Sequence, residues 1–265
     1  MVKLNREVIG LERILSREAP LIENHDEYDQ WKVAVTGISK SAGTSFLTGC
    51  LARYLANTGK HSPAVVELGK GSLYDSFGMD KRFAGRAWNY FYSALQEKKI
   101  IRGWRNMDEG INWVLRTPEE EKISLSFEQK LRLISHTRGD VILCDVPAET
   151  DQDCQLLLCM DRIIAVIDPM PSKMLEGYNT LSRLKALETD KREIIFVINK
   201  MNRGVNRRQL LDFLSIKKPL FLPLISPELI YTAEYNCRIP YAIGEVKTAL
   251  QAPFGELTTA MFFCR

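Results

Sequence analysis

The sequence predicts an α/β domain with a mainly parallel β-sheet between two layers of helices. Three observations lead there. Short β-branched or apolar runs of strand length recur at Lys32–Thr36, Ala64–Leu68, Asp140–Asp145, Arg162–Ile167 and Glu193–Ile198. Helical spans of ten or more residues separate several of them, which implies crossover units and parallel pairing. The first run also leads through a loop of small residues into a helix, and that order describes a cradle of backbone N–H groups facing an anion.

Taken in order, Met1–Glu18 carries Leu4, Val8, Leu11 and Leu15 on one helical stripe, and Ile22–Gln30 is a polar linker. Lys32–Thr36 is the first strand, Gly37–Gly43 the loop, and Thr44–Ala56 a helix with Phe46, Leu47, Leu51 and Leu55 inward. Ala64–Leu68 is a second buried strand. Ser72–Met107, rich in aromatic residues, reads as short helices covering the sheet. Ile111–Arg116 is another strand, Pro118–Glu121 an acidic turn and Ser126–Thr137 a helix. Asp140–Asp145 and Arg162–Ile167 are strands, and Asp168-Pro169-Met170-Pro171 is a break before a helix over Ser172–Leu187. The strand Glu193–Ile198 closes on Asn199-Lys200. Gln209–Leu214, Pro227–Asn236 and Ile243–Leu250 are helical, with a strand at Leu220–Leu224. One domain over 31–252 is expected, preceded by the helix and linker of 1–30 and followed by an apolar tail, 253–265.

Composition narrows the function classes. At 265 residues, 45% hydrophobic and 26% charged, the chain has ample length for a buried core. A net charge of +3 argues neither for nor against nucleic acid. Charges interleaved through Met1–Ser16 argue against a signal peptide, and no apolar run approaches the ~20 residues that cross a bilayer. The six cysteines form no CxxC pair, and none of the three histidines (His25, His61, His136) has ligand spacing to a cysteine. Core thiols in a reducing compartment are expected, with no metal centre of that kind.

The ordered set of motifs resembles one family. KVAVTGISKSAGTS is followed by VVELGKGSL, DVILCDVPAETD, IIFVINKMNRG and FLPLISPELIYTAEYNCRIPY. In order and spacing this is similar to the MinD/ParA branch of P-loop NTPases, including the atypical TadZ/CpaE-like pilus-positioning members, from about Lys32 to Leu250. The resemblance implies a three-layer P-loop NTPase-like α/β domain. It implies a nucleotide site at Gly37, Ser39, Lys40, Ser41, Ala42, Gly43, Thr44, Ser45, Asp145 and Asn199. Ser45 and Asp145 would stand where the family holds Mg²⁺, Asn199 would read the base edge, and the cofactor, weakly held or vestigial, would be ATP with Mg²⁺.

The departures fall on the groups that carry charge. Where the family has its phosphate lysine this chain has Thr44, and where it has the lysine that reaches across a dimer this chain has Ser39. The family's Asp-x-Asp at the end of its second strand matches Glu67-Leu68-Gly69, without the carboxylate that positions water. Phosphoryl transfer depends on positioning and charge neutralisation, so these losses compound. The leading expectation is a non-hydrolysing cytoplasmic scaffold or positioning factor for a pilus, secretion, pole or septum assembly. It would be a homodimer with protein partners, recruited by them to membrane or pole. The alternative is a slow ATP-dependent dimerisation switch in which Lys40 or Lys70 supplies the missing cation. DNA binding through Arg203, Arg207, Arg208, Lys217 and Lys218 is the third reading, set below both. Membrane contact by Phe254, Leu257, Met261, Phe262 and Phe263 ranks below packing on the domain, since a lysine-rich polar face is missing there. Thr44 is expected to cap its helix.

Overall fold

The computed structural model describes residues 30–69, 72–147, 150–188 and 194–263. The expected N-terminal helix and most of its linker, together with Lys70, lie outside them. The chain runs β1 (Trp31–Gly37), α1 (Thr44–Thr58), β2 (Pro63–Glu67), then the short helices α2 (Leu73–Ser76), α3 (Met79–Arg82) and α4 (Phe91–Gln96). It continues through β3 (Met107–Asp108), β4 (Ile111–Val114), α5 (Phe127–His136), β5 (Val141–Asp145), α6 (Asp151–Leu157) and β6 (Arg162–Ile167). The last third is α7 (Pro171–Glu176), α8 (Tyr178–Leu187), β7 (Ile194–Met201), α9 (Arg207–Leu214), β8 (Leu220–Pro223), α10 (Pro227–Tyr235) and α11 (Gly244–Phe263).

The strands form one sheet in the order β3-β4-β2-β5-β1-β6-β7-β8, parallel throughout except for the β3–β4 pair. Period-two alternation sends side chains into two separate cores. Val33, Val35, Val141, Leu143, Ile164, Val166 and Val197 face α1 and α11. Ala34, Ile142, Cys144, Ile163, Ala165, Ile167 and Ile198 face the opposite layer, with Leu133 of α5, Leu181 and Leu184 of α8 and Leu210 of α9. Both faces are covered, which is why the strand segments read as unbroken apolar runs. The thiols of Cys50 on α1 and Cys144 on β5 are fully buried, one in each core, and burial pushes both pKa values up.

Four elements differ from the sequence reading, one of them α6, which forms where no element is expected and is capped by Thr150 and Asp153. The helix expected over Ser172–Leu187 is two, α7 and α8, parted at Gly177. A Cβ at Gly177 would stand 2.8 Å from the carbonyl oxygen of Ile38, so this junction lies directly on the loop after β1. The helix expected to stop at Leu250 continues through Pro253 to Phe263, and Phe254, Leu257 and Met261 are buried in the first core. The apolar segment after Pro253 thus packs on the domain. The hairpin β3–β4 was not anticipated. Its two-residue turn, Glu109-Gly110, has φ of 48° and 79°, the positive pair that a tight hairpin needs.

Candidate functional site

The loop between β1 and α1 sits at the carboxyl ends of the central strands, where β1 lies between β5 and β6 and open α/β sheets bind ligands. Ile38 donates its N–H to Val166 O at 3.1 Å, continuing the pairing with β6. Ser41 then turns left-handed (φ 60°), and Gly43 does so again (φ 99°). Alternating hand along a backbone gathers its N–H groups into a concave anion nest. The first helical bond, Leu47 N–H to Gly43 O at 2.9 Å, starts α1. The N–H groups of Thr44 and Ser45 belong to its first turn, which has no intrahelical acceptor for them. Thr44 is the first helical residue, not the cap. The cap is Gly43, which makes no side-chain bond.

Strand β7 braces the loop from beside it. Asn199, 3% exposed, donates its Nδ2 to Ala42 O at 2.9 Å. Its amide is therefore a strut under the loop, and it does not line the cavity, so the base-edge role expected of it has no open face. Lys200, left-handed at φ 58°, donates its Nζ to Ser41 O at 2.7 Å and pairs with Asp168 Oδ2 at 2.6 Å. Sequence reading names Lys200 and Asp168 only as strand ends. Their partnership crosses from β7 to β6, and no local pattern reports it.

A cavity of about 690 Å³ opens over the loop, lined by Gly37, Ile38, Ser39, Lys40, Ser41, Thr44, Ser45, Gly69, Asp145, Val146, Pro147, Glu176 and Thr180. Seven of the ten residues named from sequence for nucleotide meet there, Asp145 among them, and Gly43, Ala42 and Asn199 do not line it. Ala42 is buried behind the loop and Asn199 under it. Ser45 donates its hydroxyl to Asp145 Oδ2 at 3.1 Å. Burial raises the Asp145 carboxyl to about pKa 7, and the nearby Glu67 carboxylate adds to the rise while the Ser45 bond opposes it. A hydroxyl and a carboxylate with the rest left to water and phosphate oxygens is a donor set that fits Mg²⁺. Among the described residues, no group of three or more His, Cys, Asp or Glu is placed to hold a metal ion.

Glu67, next to Asp145 in the β2–β5 register, is differently employed. Its carboxylate is 1% exposed and accepts the backbone N–H groups of Ser72 (2.7 Å), Leu73 (2.9 Å) and Arg116 (3.1 Å). Burial raises its pKa, and those N–H groups oppose the shift. This carboxylate ties the start of α2 and the end of β4 to β2. Three backbone N–H groups and near-complete burial hold it away from the cavity.

Asp145 gives the stability a pH dependence of known sign. Its folded pKa lies above the unfolded value near 4, so its contribution is complete below about pH 4 and is lost as pH rises toward 7. The melting temperature is expected to fall across that window, and Asp145→Asn to flatten part of the fall. A wild-type profile that rises from pH 4 to 7, with the variant unchanged, would contradict the placement of this carboxyl.

The basic residues noted in sequence lie toward the two ends of one helix. Arg203, Arg207 and Arg208 lie at the start of α9 and Lys217 and Lys218 beyond its end, so the length of the helix, about 12 Å, separates them. The Arg207 guanidinium lies 3.9 Å over the Phe221 ring.

No family model matches the chain, and a search of curated proteins finds no match. Solved structures do match. MinD from Pyrococcus horikoshii OT3, complexed with Mg-ADP, aligns with a TM-score of 0.68 at 15% identity, over 88% of this chain and 98% of its own. A ParA family ATPase from Chlorobium tepidum TLS aligns at 0.65 and 13%, over 86% and 97%. The fold is that of MinD and ParA. MinD in the MinC:MinD cell division complex of Aquifex aeolicus aligns at 0.63 and 17%, over 86% and 95%. That likeness covers the mainly parallel eight-stranded sheet flanked by helices. No helix among the described residues is long and apolar enough to cross a membrane.

Proposed function

We propose that this chain is a MinD/ParA-like positioning protein that keeps the anion cradle of its fold and does not hydrolyse nucleotide. The observation that carries this is the charge of the cavity wall. Lys40 is its one lysine among the described residues, Thr44 occupies the start of α1, and Glu176 adds a carboxylate. A phosphate lysine in a partly dehydrated cleft stabilises developing charge far more than a solvated one. Losing it, the lysine of a dimer partner and a water-positioning carboxylate corresponds to about 10⁴-fold or more in rate.

ATP with Mg²⁺ would be held weakly: the N–H groups of Ala42–Ser45 would take the phosphates, and Ser45 and Asp145 would hold the ion. The ion would supply charge neutralisation at the phosphates. Ser45 and Asp145 would orient it, and the struts from Asn199 and Lys200 would hold the loop's shape. The chain would act in the cytoplasm as a homodimer closed through the cavity face. Protein partners in a pilus or secretion apparatus, or at the pole or septum, would recruit it, in the manner of a TadZ/CpaE-like member. The MinC partner of the Aquifex MinD supports a role read out through protein contacts.

Phosphate release with ATP and Mg²⁺ at high protein concentration is expected to stay at background, equal in wild type and Asp145→Ala. Turnover abolished by Asp145→Ala would overturn this reading. It would favour the slow switch, which the position of Lys40 in the cavity wall supports. In that case calorimetric heat with millimolar ATP would disappear in Lys40→Ala.

A further inference from the structure

The loop already has an anion on it. Glu176, the last residue of α7, accepts the backbone N–H of Lys40 through Oε1 at 3.2 Å. Its Oε2 accepts from Lys173 Nζ at 2.8 Å. The Lys173 bond first, and the Lys40 N–H after it, hold this carboxyl below the usual glutamate range, so it is charged near neutrality. The next residue, Gly177, is packed so closely on Ile38 that a Cβ would stand 2.8 Å from its carbonyl oxygen and its Cγ1. The carboxylate is therefore delivered by a junction seated on the loop. The Lys173 pair alone would be an ordinary surface contact. The Lys40 N–H makes it part of the loop, and Glu176 and Thr180 line the same cavity as Lys40, Ser41, Thr44 and Ser45.

Backbone N–H groups at such a loop donate to any anionic oxygen placed on them. A tethered one competes at an effective concentration on the order of millimolar, enough to matter against a ligand whose main cation has gone. We propose that Glu176 is an internal anion that competes with phosphate for the loop: its carboxylate, held on the Lys40 N–H in the cavity that the phosphate would enter, repels that phosphate from the neighbouring N–H groups of Ala42–Ser45 until it is displaced. This rests on the reading that the cradle still takes phosphate, and it adds that α7 reports whether it has.

The test uses the full chain as wild type, Glu176→Gln, Glu176→Ala and, as a charge change outside the cavity, Glu97→Gln. In ¹⁵N spectra the wild-type Lys40 amide should follow a titration below the usual glutamate range, and Glu176→Gln should abolish that response. Affinity for inorganic phosphate and for ATP with Mg²⁺ should rise about three- to tenfold in both Glu176 variants and stay unchanged in Glu97→Gln. A Lys40 amide indifferent to the substitution would overturn the competition while leaving nucleotide binding intact. So would equal affinities in all four proteins, or an equal gain in Glu97→Gln. Absence of binding by every protein up to about 10 mM would overturn the competition and the cradle reading together.

Discussion

Phe254→Ala is expected to lower the unfolding free energy by about 3–5 kcal/mol, read as a reduced urea midpoint at unchanged slope. Phe254 is 0% exposed. Its ring stacks on Tyr241 at 5.8 Å and meets Tyr54 edge-on at 5.6 Å, joining α11 to α1. The preceding residue, Pro253, interrupts the hydrogen-bond ladder of α11, a defect worth about 3 kcal/mol in an isolated helix. Burial of Phe254, Leu257 and Met261 against the sheet outweighs it, since each large apolar side chain contributes about 1.5–3 kcal/mol. A loss under about 1 kcal/mol would mean that the helix does not hold its second half on the sheet in solution.

The second large effect is expected at Gly43→Val, about 3 kcal/mol or more, also by urea denaturation. Two costs coincide there. The φ of 99° is a conformation side chains rarely adopt, and a Cβ would lie 2.3 Å from Asn199 Nδ2. Relieving that contact pushes Asn199 off Ala42 O and removes the strut under the loop. Combining Gly43→Ala with Asn199→Ala separates the two costs, because it abolishes the clash and leaves the backbone strain. A Gly43→Ala protein as stable as wild type would show that the loop does not take this left-handed turn.

The sheet was legible because its strands are covered on both faces and so have few polar interruptions, as Ile142–Leu143–Cys144 shows. The loop was legible for the same local reason: Gly37, Gly43 and the small residues between them permit one kind of turn. Thr44 and Ser45 line the cavity because they open α1, and Gly43 sits behind them as its cap. Pro253 misled, because a breaker rule weighs the lost hydrogen bond and cannot see the aromatic pocket of Tyr54 and Tyr241 that compensates for it. Asn199 misled in another way. At a strand end it looks available, and only the approach of a loop 157 positions earlier in sequence buries it. Glu176 gave no signal at all, since a glutamate closing a short helix has the composition of any solvated face.

The two enclosed thiols have a practical consequence. Cys50 and Cys144 sit on opposite sides of the same sheet, and in the closed molecule neither presents the thiolate that alkylating reagents require. Each can be modified only after its own layer lifts. Site-resolved labelling would therefore time the opening of the two layers independently, with no foreign probe added to the polypeptide.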